Sequence, residues 1–176
     1  MNNYKIKIPK KKSLSEIRSF FLRKGLSDLV KLSQKPGKKV NQMISSEPYK
    51  PELIDLYSLY NLIILNKRIT VMEYGSGWSS IIIAIALNEL KKRFCKKVNS
   101  LRRNNPFQLF ILENEKKFLE ITKKKLRKFM KKNNIDIKVH YCFSKVSMTK
   151  YKGRIASEYT KLPLCNPDFV YIDGPD

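Results

Sequence analysis

The sequence predicts an α/β protein built around a doubly wound, mostly parallel β-sheet, preceded by N-terminal helices. Short β-prone stretches at 69–74, 107–112, 135–143 and 168–172 alternate with segments whose apolar residues recur at helical spacing. This alternation is typical of parallel strands joined by crossover helices. A glycine turn directly follows the first strand, and the hydrophobic content of 42% over 176 residues is enough for one domain with a core.

Residues 1–50 are predicted to form a basic arm and an N-terminal helix, and residues 51–176 to form the α/β domain. Ser13 and Glu16 have the spacing of a capping box, which predicts that the first helix begins there. The segment Lys35-Pro36-Gly37 is expected to end that helix. The lysine-rich residues before the capping box carry no apolar pattern, so we expect a mobile arm.

The predicted strands of the domain are joined by helices and loops. Helices are expected over about 52–65, 78–92 and 115–132, with Pro51 at the first helical position and a loop over 144–167. The basic connection over 93–106 can extend the second of these helices before it breaks. Asp168–Ile172 follows this loop as the fourth strand of the sheet.

The formal net charge of +22 suggests polyanionic partners, because clustered lysine and arginine release counterions from phosphate backbones. Lysine greatly outnumbers arginine, however, and positive residues occur in nearly every polar segment. That distribution favours a generally basic surface with weak, nonspecific binding to polyanions. A non-enzymatic nucleic-acid-binding module is the alternative.

Several other kinds of protein are disfavoured. The longest apolar run, Ile81–Leu87, is far shorter than the ~20 residues needed to cross a bilayer. We therefore expect no membrane insertion and no signal peptide. Cys95, Cys142 and Cys165 are scattered and have no zinc-ligand spacing with the single histidine, His140. Reduced thiols in a cytoplasmic protein are the expectation.

The glycine turn after the first strand can serve two kinds of ligand. Gly75 and Gly77 allow a tight strand-to-helix turn and close approach of a ligand, and Ser79 or Ser80 can cap the helix. A dinucleotide would place its pyrophosphate on the helix N-terminus, as in the GxGxxG pattern. Glu73 would repel a pyrophosphate and attract a cationic ligand by about 4 kcal/mol at 4 Å and an effective dielectric of about 20.

The segment Glu73-x-Gly75-x-Gly77-x-Ser79 resembles motif I of the class I S-adenosylmethionine (SAM)-dependent methyltransferases, with serine in place of the third glycine. The resemblance implies a Rossmann-like fold and a SAM cofactor. It also implies that the methionine part of SAM is held by the first strand's end and the turn after it: Glu73, Tyr74, Gly75, Ser76, Gly77 and Ser79.

Glu113 ends the second predicted strand, where a carboxylate can accept both ribose hydroxyls of a nucleoside. NAD-binding domains use an acid in the same way, so an NAD-type dinucleotide site is an alternative. Glu113 could equally cap the following helix. After the third strand, the resemblance implies that Phe143 and Ser144 border the adenine, by stacking and hydrogen bonding respectively.

The segment Asn166-Pro167-Asp168-Phe169-Val170-Tyr171-Ile172-Asp173-Gly174-Pro175-Asp176 resembles motif IV of the same family, an apolar strand ending in Asp-Gly. By this resemblance Asp173 is the candidate catalytic residue, close to the transferred methyl group, with Asp176 as a second acid. A simple turn is the alternative, because Asp-Gly-Pro is turn chemistry by itself. No metal is predicted.

In that family the complete sheet has the strand order 3-2-1-4-5-7-6, and this chain supplies only the first four strands. The expectation is a cofactor-binding half truncated after the fourth strand, inactive alone, with an unidentified methyl acceptor. An edge at the fourth strand would expose unpaired backbone groups, which a partner chain could complete.

Overall fold

A computed structural model describes residues 5–35 and 50–173. The helices are α1 Leu14–Arg23, α2 Ser27–Ser33, α3 Leu53–Leu65, α4 Trp78–Asn99 and α5 Lys116–Lys132. The strands are β1 Thr70–Tyr74, β2 Gln108–Glu113, β3 Lys138–Phe143, β4 Val146–Tyr151, β5 Arg154–Tyr159 and β6 Phe169–Ile172. The predictions made for Pro36, Gly37, Gly174, Pro175 and Asp176 lie outside the described residues.

The predicted parallel sheet is confirmed. Its strand order is β3-β2-β1-β6, and every neighbouring pair is parallel. The chain proceeds outward from β1 through β2 to β3 and then returns to add β6 on the other side of β1. The strand order therefore reverses between β1 and β6, and ligands of open α/β sheets bind beyond the carboxyl ends of strands at such a point.

The helices cover one face of this sheet. Val71, Leu109 and Ile111 point into a core that also contains buried residues from all five helices. On the opposite face, Met72, Phe110 and Leu112 form a smaller cluster with Tyr159. Within the described residues that cluster contains no helix residue, so the doubly wound arrangement with helices on both faces is not present in this part of the chain.

The prediction of a loop over 144–167 is wrong between residues 146 and 159. Strands β4 and β5 form an antiparallel hairpin that is a separate two-stranded sheet. Lys152 and Gly153 have φ values of 49° and 79°, as a two-residue hairpin turn requires. The pattern was obscured because most of the hairpin is exposed; only its base, at Val146 and Tyr159, packs against the sheet.

The N-terminal helices belong to the same core as the rest of the protein. The capping box is confirmed, since the Ser13 backbone donates to Glu16 at 2.9 Å and the Glu16 backbone donates to the Ser13 hydroxyl at 3.3 Å. Ile17 and Phe21 of α1 are buried in the core that also contains residues of α3 and α4. The preceding arm is not free at Lys7, whose backbone N–H donates to the Asn66 side chain at 2.8 Å.

The start of α3 differs from the prediction, whereas α4 extends into the basic connection, as the sequence allowed. Pro51 precedes the N-cap, which is Glu52, so it does not occupy the first helical position. Helix α4 continues to Asn99, through much of the connection predicted over 93–106, and Val98 is still buried in the core. None of the helices in the described ranges combines the length and the apolar character that crossing a bilayer requires.

Candidate functional site

Residues 69–80 form a strand, a tight turn and the start of a helix, as predicted. Gly75 has φ 96°, a left-handed conformation that favours glycine, and its N–H donates to the Leu112 carbonyl at 2.8 Å. Gly77 is extended, and a Cβ added there would meet no atom within 4 Å. The fold therefore requires glycine at position 75, whereas at position 77 the protein itself leaves open space.

Glu73 lies beneath this turn and is 0% exposed. Its two carboxylate oxygens accept hydrogen bonds from the Ser79 hydroxyl at 2.5 Å and the Ser80 hydroxyl at 2.6 Å. The Ser80 oxygen also accepts from the Gly77 N–H at 3.2 Å, so the predicted capping role belongs to Ser80. The Ser79 hydroxyl donates to the Glu73 carboxylate and does not cap the helix. Glu73 thus ties the end of β1 to the first turn of α4.

Burial raises the pKa of Glu73 from 4.5 to about 8. The hydrogen bonds from Ser79 and Ser80 act in the opposite direction, and the charges of Asp173 and Glu113 raise the pKa further. At neutral pH the enclosed side chain therefore carries a proton. The sequence predicts a negative charge at Glu73, whereas in the folded protein that charge appears only when the proton is released.

Glu113 connects the second strand to the turn. The side chain is 5% exposed, and one carboxylate oxygen accepts from the Ser76 hydroxyl at 2.6 Å. The other oxygen accepts from the backbone N–H groups of Asn114 and Glu115 at 2.9 and 3.0 Å. These bonds hold the loop just before α5 and do not cap the helix itself, whose N-cap Glu115 has no side-chain cap hydrogen bond. The Ser76 bond brings Glu113 into contact with the glycine turn.

Asp173 lies immediately after β6 and is exposed. Its backbone N–H donates to the Tyr74 carbonyl at 2.8 Å, which aligns it beside the end of β1. Glu73, Glu113 and Asp173 therefore end three adjacent strands, and the charges of the last two act on the first. The sequence predicted this convergence of acids, and the observed strand order β3-β2-β1-β6, which produces it, is the order 3-2-1-4 that the resemblance implied.

Ser144 and Phe143, the two residues predicted to border an adenine, lie in different surroundings. Ser144 is buried; its N–H donates to the Glu113 carbonyl at 3.0 Å and its hydroxyl accepts from the Lys161 N–H at 2.9 Å. Phe143 packs against the core on the helix-covered face, with the Lys116 ammonium 5.1 Å from its ring centre. Ser144 thus fastens the hairpin to the strand ends, while Phe143 contributes to the core.

Sequence reasoning missed Tyr159, the last residue of β5. Its ring contacts that of Tyr74 edge-on, with centres 5.3 Å apart, and the Glu113 charge acts on its hydroxyl. The signal that could have found it is the pair of β-prone runs flanking Lys152-Gly153, which has the form of a hairpin turn. Tyr159 thereby joins the residues at the strand ends.

Other parts of the described chain have fewer features of a functional site. No group of three or more His, Cys, Asp and Glu residues within 5–35 and 50–173 is arranged to hold a metal ion. Two surface depressions, of ≈ 390 Å³ beside Lys12 and Tyr57 and of ≈ 510 Å³ beside Lys91 and Asp136, lie away from the strand ends. The strand-end acids are therefore the candidate site, even though they do not line either depression.

The fold and the site together define an α/β protein with a four-stranded parallel sheet and an acidic cluster where its strand order reverses. Comparison of the chain with protein-family models, curated proteins and solved structures finds no match. Functional assignment consequently depends on the site itself.

Proposed function

We propose that this chain is the cofactor-binding domain of a SAM-dependent methyltransferase. The observation that carries the proposal is the convergence of Glu73, Glu113 and Asp173 around the turn from Gly75 to Gly77. Three acids at one edge of a sheet are unusual in a protein with a net charge of +22. Such a site suits a nucleoside with positive groups, and SAM carries an ammonium and a sulfonium.

The strand order supports the same proposal. The sequence β3-β2-β1-β6 corresponds to the first four strands, 3-2-1-4, of the Rossmann-like methyltransferase sheet that the motifs resemble. In this correspondence the glycine turn follows strand 1, Glu113 ends strand 2 and Asp173 ends strand 4. The described acids of this correspondence, Glu73, Glu113 and Asp173, lie at strand ends, which supports the proposal.

The chain's own residues then have separate tasks. Glu113 would accept the ribose hydroxyls, the open backbone at Gly77 would let the ligand approach, and Glu73 would neutralise the ammonium after losing its proton. Bound SAM supplies an activated methyl group. Asp173, exposed beside Tyr74, would orient the acceptor, since much of the catalysis of methyl transfer can come from positioning.

The two other functions make different demands on the site. A dinucleotide pyrophosphate would lie against the N-terminus of α4 and close to Glu113 and Asp173, whose charges oppose its own. A basic nucleic-acid-binding module would use the lysine-rich surface and would be insensitive to the glycine turn. We propose only weak, salt-sensitive polyanion binding for that surface.

Calorimetry with S-adenosylhomocysteine tests the proposal. The wild-type chain should bind it saturably, and Glu113→Gln should weaken binding by about tenfold to hundredfold, because a hydrogen bond to a charged group is lost. Glu115→Gln is the matched control, as Glu115 is an adjacent, exposed acid, and should bind like the wild type. Saturable NAD binding without any response to S-adenosylhomocysteine would instead favour the dinucleotide site, and nucleic-acid binding alone would favour the basic module.

A further inference from the structure

The hairpin carries a buried polar group that the fold leaves without a partner. Tyr159 is 8% exposed, and its hydroxyl has no hydrogen-bond partner among the described residues. A buried hydroxyl of this kind costs roughly as much as a lost hydrogen bond, so native proteins usually provide it with an acceptor. An acceptor for this hydroxyl therefore has to come from outside the described part of the chain.

The residues around Tyr159 place its hydroxyl close to the acids at the strand ends. The ring packs on the sheet face opposite the helices, with Phe110 and Leu112, and contacts Tyr74 at the end of β1. Burial raises the pKa of the hydroxyl to about 12, and the negative charge of Glu113 raises it in the same direction. The phenol therefore keeps its proton at physiological pH and acts as a donor beside the acid at the end of β2.

We propose that Tyr159 is a ligand-binding residue whose hydroxyl donates a hydrogen bond to the nucleoside part of the bound cofactor. This inference rests on the function proposed above and adds a residue from the hairpin to that site. Ser144 holds the hairpin in place for this task, because its hydroxyl accepts from the Lys161 N–H just after β5. The hairpin thus closes the site on the face of the sheet that carries no helix.

Tyr159→Phe tests the proposal, since it removes the hydroxyl and keeps the ring. Calorimetry should show S-adenosylhomocysteine and adenosine binding weakened by the same factor, about threefold to tenfold, as expected for one neutral hydrogen bond. The free variant should melt at an equal temperature, or up to roughly 2–4 °C higher, because an unpaired buried hydroxyl has been removed. Tyr151→Phe, at an exposed tyrosine of the same hairpin, should change neither property.

Three results would overturn the inference. If Tyr159→Phe binds both ligands as tightly as the wild type, Tyr159 is not a ligand-binding residue, while the proposed function stands. If the variant melts at a lower temperature, the hydroxyl has a structural partner within the protein. If the wild type binds neither S-adenosylhomocysteine nor adenosine, the proposed function and this inference fail together.

Discussion

The Ser80 hydroxyl donates a hydrogen bond of 2.6 Å to the carboxylate of Glu73, and the same Ser80 oxygen accepts from the N–H of Gly77. Through this arrangement the buried acid, the first turn of α4 and the glycine turn are mechanically connected. Glu73 is therefore two hydrogen bonds away from the backbone that the ligand is proposed to approach.

The stability of the free protein should fall as the pH rises from 5 to 8. Unfolded Glu73 loses its proton near 4.5, whereas the folded protein holds it up to about pH 8, so in this interval the folded state binds the extra proton. The loss should amount to roughly 2–5 kcal/mol. Glu73→Gln, which resembles the protonated acid, should be similar to the wild type at pH 5 and more stable at pH 8. Denaturant unfolding at pH 5 and pH 8 measures both stabilities. If wild type and Glu73→Gln showed the same dependence of stability on pH, the raised pKa of Glu73 would be contradicted.

The affinity for S-adenosylhomocysteine should rise between pH 6 and 8. Its ammonium favours the ionised form of Glu73, so binding below a pKa of about 8 must release a proton, and the affinity gains at most about tenfold per pH unit. Calorimetry in buffers of different ionisation enthalpy would detect the released proton directly. Glu73→Gln should bind more weakly and without this dependence; proton uptake by the wild type would refute the assignment.

Gly77→Ala and Gly75→Ala should separate ligand contact from folding. An added Cβ at Gly77 meets open space, so stability should change by no more than about 1 kcal/mol, while S-adenosylhomocysteine binding should weaken by about tenfold or more. At Gly75 the φ of 96° makes alanine costly, by about 1–3 kcal/mol. Thermal melts and calorimetry on both variants test this. Unchanged binding by Gly77→Ala would place the ligand elsewhere.

Glu89→Gln should destabilise the protein by about 1–3 kcal/mol, because Glu89 accepts from the Lys24 ammonium and, at 2.6 Å, from the Tyr60 hydroxyl. Burial raises the pKa of Glu89, but these bonds and the nearby positive charges lower it overall, so the stabilisation is present at neutral pH and is lost on acidification. Glu120→Gln removes an exposed pair with Lys123 and should change stability by less than about 0.5 kcal/mol. If both variants changed the free energy of unfolding equally in urea titrations, the bonds of Glu89 to Lys24 and Tyr60 would contribute nothing to stability.

Much of the fold was predictable because its signals are local. The capping box at Ser13, the glycine turn at Gly75 and the acid at Glu113 each depend on a few neighbouring residues. The hairpin was missed since its packing is not local: Tyr159 is buried by Met72 and other residues of distant strands. Periodicity alone does not distinguish such a weakly covered segment from a loop.

Strand alternation and turn residues are local properties of the chain, so the amino-acid order was sufficient to predict the parallel sheet, the glycine turn and an acid at the end of each of three strands. Whether Glu73 carries a charge depends on the tertiary structure. Packing removed water from Glu73 and set Asp173 and Glu113 beside it, and the free energy of a charge depends on solvent and neighbours that the linear order does not specify.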